Sequence, residues 1–208
     1  ESFALRNAWL TKGVLACEEN PSIFREPDAL VRLGVGKNMV DSIRYWCLAT
    51  RVIENHSERR YDYQPTRIGR SLFLANGAWD RFLEDRGTVW LLHWQLATNP
   101  KLATTIYYAF NELNGLEFTR AGLEDQIAKQ AVAANARASS NTIRRDVSVF
   151  IRSYAGRQER AVASVEDTMD CPLTELRLLH ITALLGIFAF MRGPKDSLPS
   201  ELVLYALC

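Results

Sequence analysis

The sequence predicts a mostly α-helical protein with small β-hairpins, arranged as two winged helix-turn-helix-like units around a central aromatic helical pair. Three observations carry that expectation. Residues 29–73 read as a short helix, a glycine-bounded turn, a longer amphipathic helix and an apolar-polar strand leading into Thr66-x-x-Gly69-Arg70. Residues 79–113 hold dense apolar and aromatic segments at helical spacing, and residues 139–193 repeat the order of amphipathic helix followed by short alternating strands. The expected units are 1–76, 77–116 and 117–208.

In the first unit, Gly34 and Gly36 bracket one apolar residue and supply the tight bend between two helices packed at a steep angle. A helix over 37–53 buries Val40, Ile43 and Cys47, with Trp46 flanking, at the spacing of one helical face. The other face carries Lys37, Asn38, Asp41, Ser42 and Tyr45. In a helix-turn-helix such a face enters the major groove, where Lys and Asn bond base edges or phosphates and the free N–H groups of the helix start attract a phosphate. Lys37, Asn38, Ser42 and Tyr45 are therefore candidate DNA contacts. A plain helical hairpin with its polar side in water is the alternative. Arg59, Arg60, Arg67 and Arg70 cluster with His56 against Glu58 and Asp62, which marks a basic wing. Gly34-x-Gly36-Lys37 is not a phosphate loop: the position five before Gly36 is Val31, and Asn38 stands where a magnesium-binding Ser or Thr is needed.

The central pair holds Trp79, Phe82, Val89, Trp90, Leu91, Leu92, Trp94, Tyr107, Tyr108 and Phe110, read as the aromatic heart of the molecule. Its first helix should end near Asn99, because the residue before Pro100 disfavours helical backbone. Aromatic rings can stack on unpaired bases, but a stripe this apolar is more often core. His93 lies within it and is the single catalytic candidate, set against a buried structural histidine.

In the third unit a helix over 119–135 is followed by the linker ANARASS and by NTIRRDVSVFIRSY. There Ile143, Val147, Phe150 or Ile151 and Tyr154 form one buried face, with Thr142, Arg145, Ser148 and Arg152 outside. Ser139 or Ser140 can cap its start. This helix is a candidate second reader, with Thr142, Arg144, Arg145 and Ser148 placed for phosphate or guanine; a surface helix paired through Asp146 is the rival. LRLLHITA and GIFAFMRG form a hairpin around Leu185-Gly186, and Leu198-Pro199-Ser200-Glu201 opens a last helix.

The 208 residues are 48% hydrophobic and 24% charged, which excludes a disordered chain. A net charge of +1 means that any nucleic-acid surface is a local patch balanced by acid elsewhere. Cys17, Cys47, Cys171 and Cys208 are isolated, without zinc or redox spacing, and read as reduced buried thiols. The longest apolar run, 181–191, is too short to span a membrane, so a cytoplasmic protein is expected. The ending SELVLYALC reads as the interior of a helix that continues.

The segments RNAWLTKG, VRLGVGKNMVDSIRYW, PTRIGRSLF, WLLHWQLATNP, IRRDVSVFIRSY, DCPL and RGPKDSLP together resemble a bacterial domain-of-unknown-function family. That family includes the B component, the DNA-nicking protein, of Ssp-type single-strand DNA phosphorothioation systems. The resemblance implies DNA as substrate and a role in modification and phage defence. It also implies partner proteins, namely a cysteine desulfurase, an ATPase and a sulfur-transfer protein, and a cut in one strand that lets sulfur replace a non-bridging phosphate oxygen. Such a nick would draw on magnesium or manganese. His93, Glu84, Asp85, Glu112, Asp146, Asp167 and Asp170 are scattered and form no spaced metal motif. The rival function is a non-catalytic winged-helix adaptor or transcription regulator.

Overall fold

A computed structural model describes residues 1–56, 61–74, 77–136, 138–155, 171–184 and 186–207. The chain is mostly helical, with small antiparallel sheets. Helix α1 (Asn7–Glu19) lays Trp9, Leu10, Gly13, Val14 and Cys17 into the core against α3 (Lys37–Ala49). The two helices come close because position 13 lacks a side chain: a Cβ there would collide with Cys47 Sγ and press on Ile43.

Between them, α2 (Ala29–Leu33) ends at Gly34 in the left-handed region, with φ of 62°. Gly34 N donates to Val31 O, and Val35 N to Leu30 O at 3.0 Å, closing the orphan carbonyls before α3 begins. The buried stripe of α3 includes Val40, Ile43, Trp46 and Cys47, as its spacing predicts. The helix ends at Ala49 rather than at 53. Thr50 turns its hydroxyl back onto Trp46 O at 2.7 Å, and Arg51 takes a left-handed backbone (φ 56°) that releases the chain into a strand.

Strand β1 (Ile53–Asn55) pairs antiparallel with β2 (Tyr63–Pro65) in the register Ile53↔Pro65 and Asn55↔Tyr63. Thr66 then locks the return: its N–H donates to Val52 O, its hydroxyl donates to Arg51 O at 2.7 Å, and its Oγ1 accepts from Gly69 N at 3.1 Å. A short helix α4 (Arg67–Gly69) runs into a π turn, Arg70–Leu74.

The expected helix through Trp79 does not form there. Residues 77–85 are a loop, and α5 (Arg86–Ala97) starts where Asp85 accepts from Gly87 N and Thr88 N. Asp80 and Asp85 are better turn and cap residues than helix interior, and they override the apolar spacing around them. Trp79 and Phe82 are accordingly 74% and 69% exposed, not part of the aromatic core. Helix α6 (Thr104–Asn111) packs against both α5 and α8.

The expected helix 119–135 forms as α7 (Arg120–Ala133), entered from strand β3 (Glu117–Thr119) and capped by Thr119, which accepts from Gly122 N at 3.1 Å. Helix α8 (Ser140–Tyr154) is capped by Ser139, whose hydroxyl accepts from Thr142 N. Beyond it come a 3-10 turn (Pro172–Leu176), β4 (Leu179–Ile181), β5 (Ile187–Phe190) and α9 (Ser200–Leu207). The expected hairpin is there as β4–β5. Strand β3 adds to its other edge, giving the spatial order β3-β5-β4, all antiparallel.

The core is continuous across all three segments. Its centre is a cluster of rings: Phe110 meets Phe150, Tyr154 and Phe190, and Phe118 lies against Phe188 at 5.6 Å. Cys17, Cys47 and Cys171 are buried, and burial pushes the Cys17 thiol up to about 12. Cys208, Arg59, Arg60 and Asp167 and Asp170 lie outside the described residues. No helix among the described residues is long and apolar enough to cross a membrane.

Candidate nucleic-acid interface

Helix α8 shows its polar side at Thr142, Arg144, Arg145, Ser148 and Arg152, because Ile143, Val147, Phe150, Ile151 and Tyr154 are taken up by the core. Residues 144, 148 and 152 stand one turn apart on a single face. That face borders an open cleft of about 660 Å³ lined by Arg144, Arg145, Ser148 and Arg152, together with Arg120, Asn38 and Ser2. Two helices expected to act as separate readers thus meet in one concave surface.

The first five residues join them. Trp46 of α3 donates its indole N–H to Phe3 O at 3.0 Å, and Arg152 of α8 donates to Ser2 O at 2.9 Å. Ser42 donates to Glu1 Oε1 at 2.5 Å, and the amino group of Glu1 pairs with Asp146. On the far side, Arg120 at the start of α7 donates to Ser148 Oγ at 2.5 Å, which fixes one guanidinium over the α8 face. Arg144 leans toward Glu124 at 3.9 Å while its side chain stays exposed. Four guanidinium groups, an amide and two serines line the cleft, with no carboxylate or imidazole among them. Such a surface neutralises phosphate and offers donors in fork geometry; among the described residues it contains no general base.

Of the sequence candidates, Asn38, Arg144, Arg145 and Ser148 come together here, and Thr142 lies exposed one turn before them. Ser42 does not face outward: it is 2% exposed beneath the N-terminal segment. Tyr45 is half-buried, and its hydroxyl donates to Leu102 O at 3.0 Å. Burial first, and then the charges of Asp146 and Glu1, push that phenol well above its ordinary range. The sequence placed both on the open face because an α3 stripe of polar residues looks the same whether water or another segment covers it. Lys37 is exposed but borders a different cleft, beside Arg25, Glu26 and Asp41. Arg67 is exposed; Arg70 is held by Glu18 at 2.8 Å. Neither lines the arginine cleft.

His93 is enclosed by the rings of Trp90, Phe110 and Tyr154, and its Nδ1 shares a 2.9 Å hydrogen bond with the Tyr154 hydroxyl. Burial lowers its pKa to about 4, which keeps the imidazole neutral near pH 7. It does not line the arginine cleft and is partly buried among those rings. Glu84 and Asp85 are neighbours in the loop before α5, with Asp85 occupied as its cap, and Glu112 follows α6. Among the described residues, no group of three or more His, Cys, Asp or Glu is arranged to hold a metal ion.

Arg120 and Arg152 were not among the sequence candidates. Arg152 could have been found, since it continues the Arg144–Ser148 face by one more turn. Arg120 lies 28 residues from Ser148 and only the fold brings it near.

The chain belongs to the family described as a protein of unknown function (DUF4007), whose model matches residues 1–208. It is similar to an SspB crystal structure, with 31% identity and a TM-score of 0.84, over 98% of this chain and 62% of that one. A magnesium ion-bound SspB crystal structure is similar to the same degree, with 30% identity and a TM-score of 0.85, again over 98% and 62%. This chain therefore spans 62% of the length of those SspB chains. No curated protein matches it.

Proposed function

We propose that this chain is the DNA-binding component of a bacterial DNA phosphorothioate modification and defence system, acting where one strand is nicked so that sulfur can enter. The single observation that carries the DNA reading is the cleft in which Arg120, Arg144, Arg145 and Arg152 converge with Asn38. A locally cationic, donor-rich concavity on a chain of net charge +1 is the electrostatic footprint expected of a phosphate-backbone site. Family membership and the likeness to SspB support the system assignment. On this reading it works in the cytoplasm, beside a cysteine desulfurase, an ATPase and a sulfur-transfer protein.

Two winged helix-turn-helix units, 1–76 and 117–208, flanking a helical pair at 77–116, remain our reading of the architecture. Its support in the first unit is the order α2, turn, α3, β1–β2 hairpin. In the second it is the order β3, α7, α8, β4, β5 with β5 central in the sheet.

Magnesium accompanies one SspB structure, yet the described residues here do not supply a fitting ligand set. The composition of the cleft favours a second reading, in which this chain grips duplex DNA and cutting is done elsewhere: among the described residues its side chains supply charge and hydrogen bonds and no base. Supercoiled plasmid incubated with the protein and magnesium or manganese separates the two. Open circles that vanish with chelator support the nicking role; tight duplex binding without open circles supports the gripping role; no duplex binding overturns both.

A further inference from the structure

Loop 77–85 carries a second feature that the cleft does not use. It presents Trp79 and Phe82 to solvent, although both are large rings in a chain with ample core. The loop is tightly held. Trp79 N donates to Ser71 O and Asp80 N to Leu72 O, which fasten it to the π turn, and Thr11 donates to Arg81 O at 2.6 Å, which fastens it to α1. Within the loop, the buried Asp80 carboxylate accepts from Glu84 N at 2.8 Å and Asp85 N at 3.0 Å. Leu83, in left-handed backbone with φ of 57°, is the residue that turns inward, 3% exposed. The rings therefore face water on a rigid mount, so displaying them costs little ordering when something binds.

Asp80 and Asp85 accept from backbone N–H groups, while Arg81, between Trp79 and Phe82 in sequence, and Arg86 are exposed along with Glu84, and neither guanidinium has a partner among the described residues. Two exposed aromatic rings with exposed guanidinium groups beside them in the chain suit a base-and-phosphate ligand. An apolar protein partner would leave Arg81 buried without a counter-charge.

We propose that loop 77–85 is a stacking platform for unpaired nucleobases, with Trp79 and Phe82 as the rings and Arg81 and Arg86 meeting the flanking phosphates. It rests on the DNA reading above but uses residues remote in sequence from the arginine cleft. The test is fluorescence anisotropy with a labelled oligothymidylate and, in parallel, a labelled duplex. The double variant Trp79→Ala, Phe82→Ala should lose about tenfold or more in oligothymidylate affinity and keep duplex affinity within about twofold, while Trp79→Tyr, Phe82→Tyr retains single-strand binding. Hydroxyl-radical footprinting should find Trp79 reactive in the free protein and protected by oligothymidylate. Unchanged oligothymidylate affinity in the alanine variant, equal losses for both DNAs, or a Trp79 already protected in the free protein would each overturn the platform. So would concentration-dependent self-association that the alanine variant abolishes. A protein that binds duplex but not oligothymidylate loses the platform and keeps the cleft; one that binds oligothymidylate through Trp79 but not duplex does the reverse.

Discussion

The Tyr154 hydroxyl meets Nδ1 of His93 at 2.9 Å, so the last turn of α8 is bonded to the middle of α5 inside a cage of aromatic rings. This contact holds the helix that bears the cleft arginines against the central pair. It also engages one ring nitrogen of His93, whose imidazole burial keeps neutral near pH 7.

That assignment fixes a pH dependence. The folded pKa is about 4, below the ordinary value of 6.5, so the unfolded chain takes up a proton first as pH falls. The stability held by neutral His93 is complete above about pH 6.5 and drains away as pH drops toward 4, by on the order of 2–3 kcal/mol. Thermal melts at pH 7 and pH 4.5 should show the loss, and His93→Leu should flatten it. A His93→Leu protein with the same pH slope as the parent would show that another group is responsible. Its duplex affinity at pH 7, corrected for folded fraction, should equal the parent's.

Trp90 is 6% exposed and donates its indole N–H to Ser197 Oγ at 3.1 Å. Trp90→Ala should cost about 3–5 kcal/mol, the scale of emptying a large aromatic site. Chemical denaturation measures it, and a cost below about 1 kcal/mol would place Trp90 at the surface instead.

The Thr66-x-x-Gly69 segment is read here as a fold device. A methyl at Gly69 would run into the Val52 carbonyl oxygen, which is backbone and cannot swing aside. Gly69→Ala should therefore destabilise the β1–β2 hairpin by roughly 1–3 kcal/mol or more. Thr66→Ala, which strips the cap from Gly69 N and the bond to Arg51 O, should cost about 1 kcal/mol. If both variants melt like the parent yet bind duplex poorly, the segment touches DNA directly.

The sequence foretold the elements whose signals are local. The α2–α3 turn rests on Gly34, the α3 and α8 stripes on residues three and four apart, and the β4–β5 hairpin on alternation around Gly186. It misjudged the ends, because competing local bonds decide them: Thr50 and Arg51 stop α3, and Asp80 and Asp85 turn the stretch around Trp79 into a loop. Of the cleft, Asn38, Arg144, Arg145 and Ser148 were legible as exposed polar residues on amphipathic helices. That they share one surface with Arg120 was not, since it depends on α7 packing directly on α8 and on the N-terminal segment joining α3 to α8. Burial of Ser42 and Tyr45 escaped for the same reason: the covering residues, Glu1 and Leu102, are far away in sequence.

The most direct test of the account is duplex affinity after Arg144→Ala with Arg145→Ala. Both side chains are exposed, so the melting curve should move by less than about 0.5 kcal/mol per substitution. Affinity should fall about tenfold or more at low salt, for all duplex sequences alike, and the slope of log affinity against log salt should shrink by about two if both residues meet phosphates. Unchanged affinity and an unchanged slope in a normally melting protein would contradict the claim that the arginine cleft holds DNA.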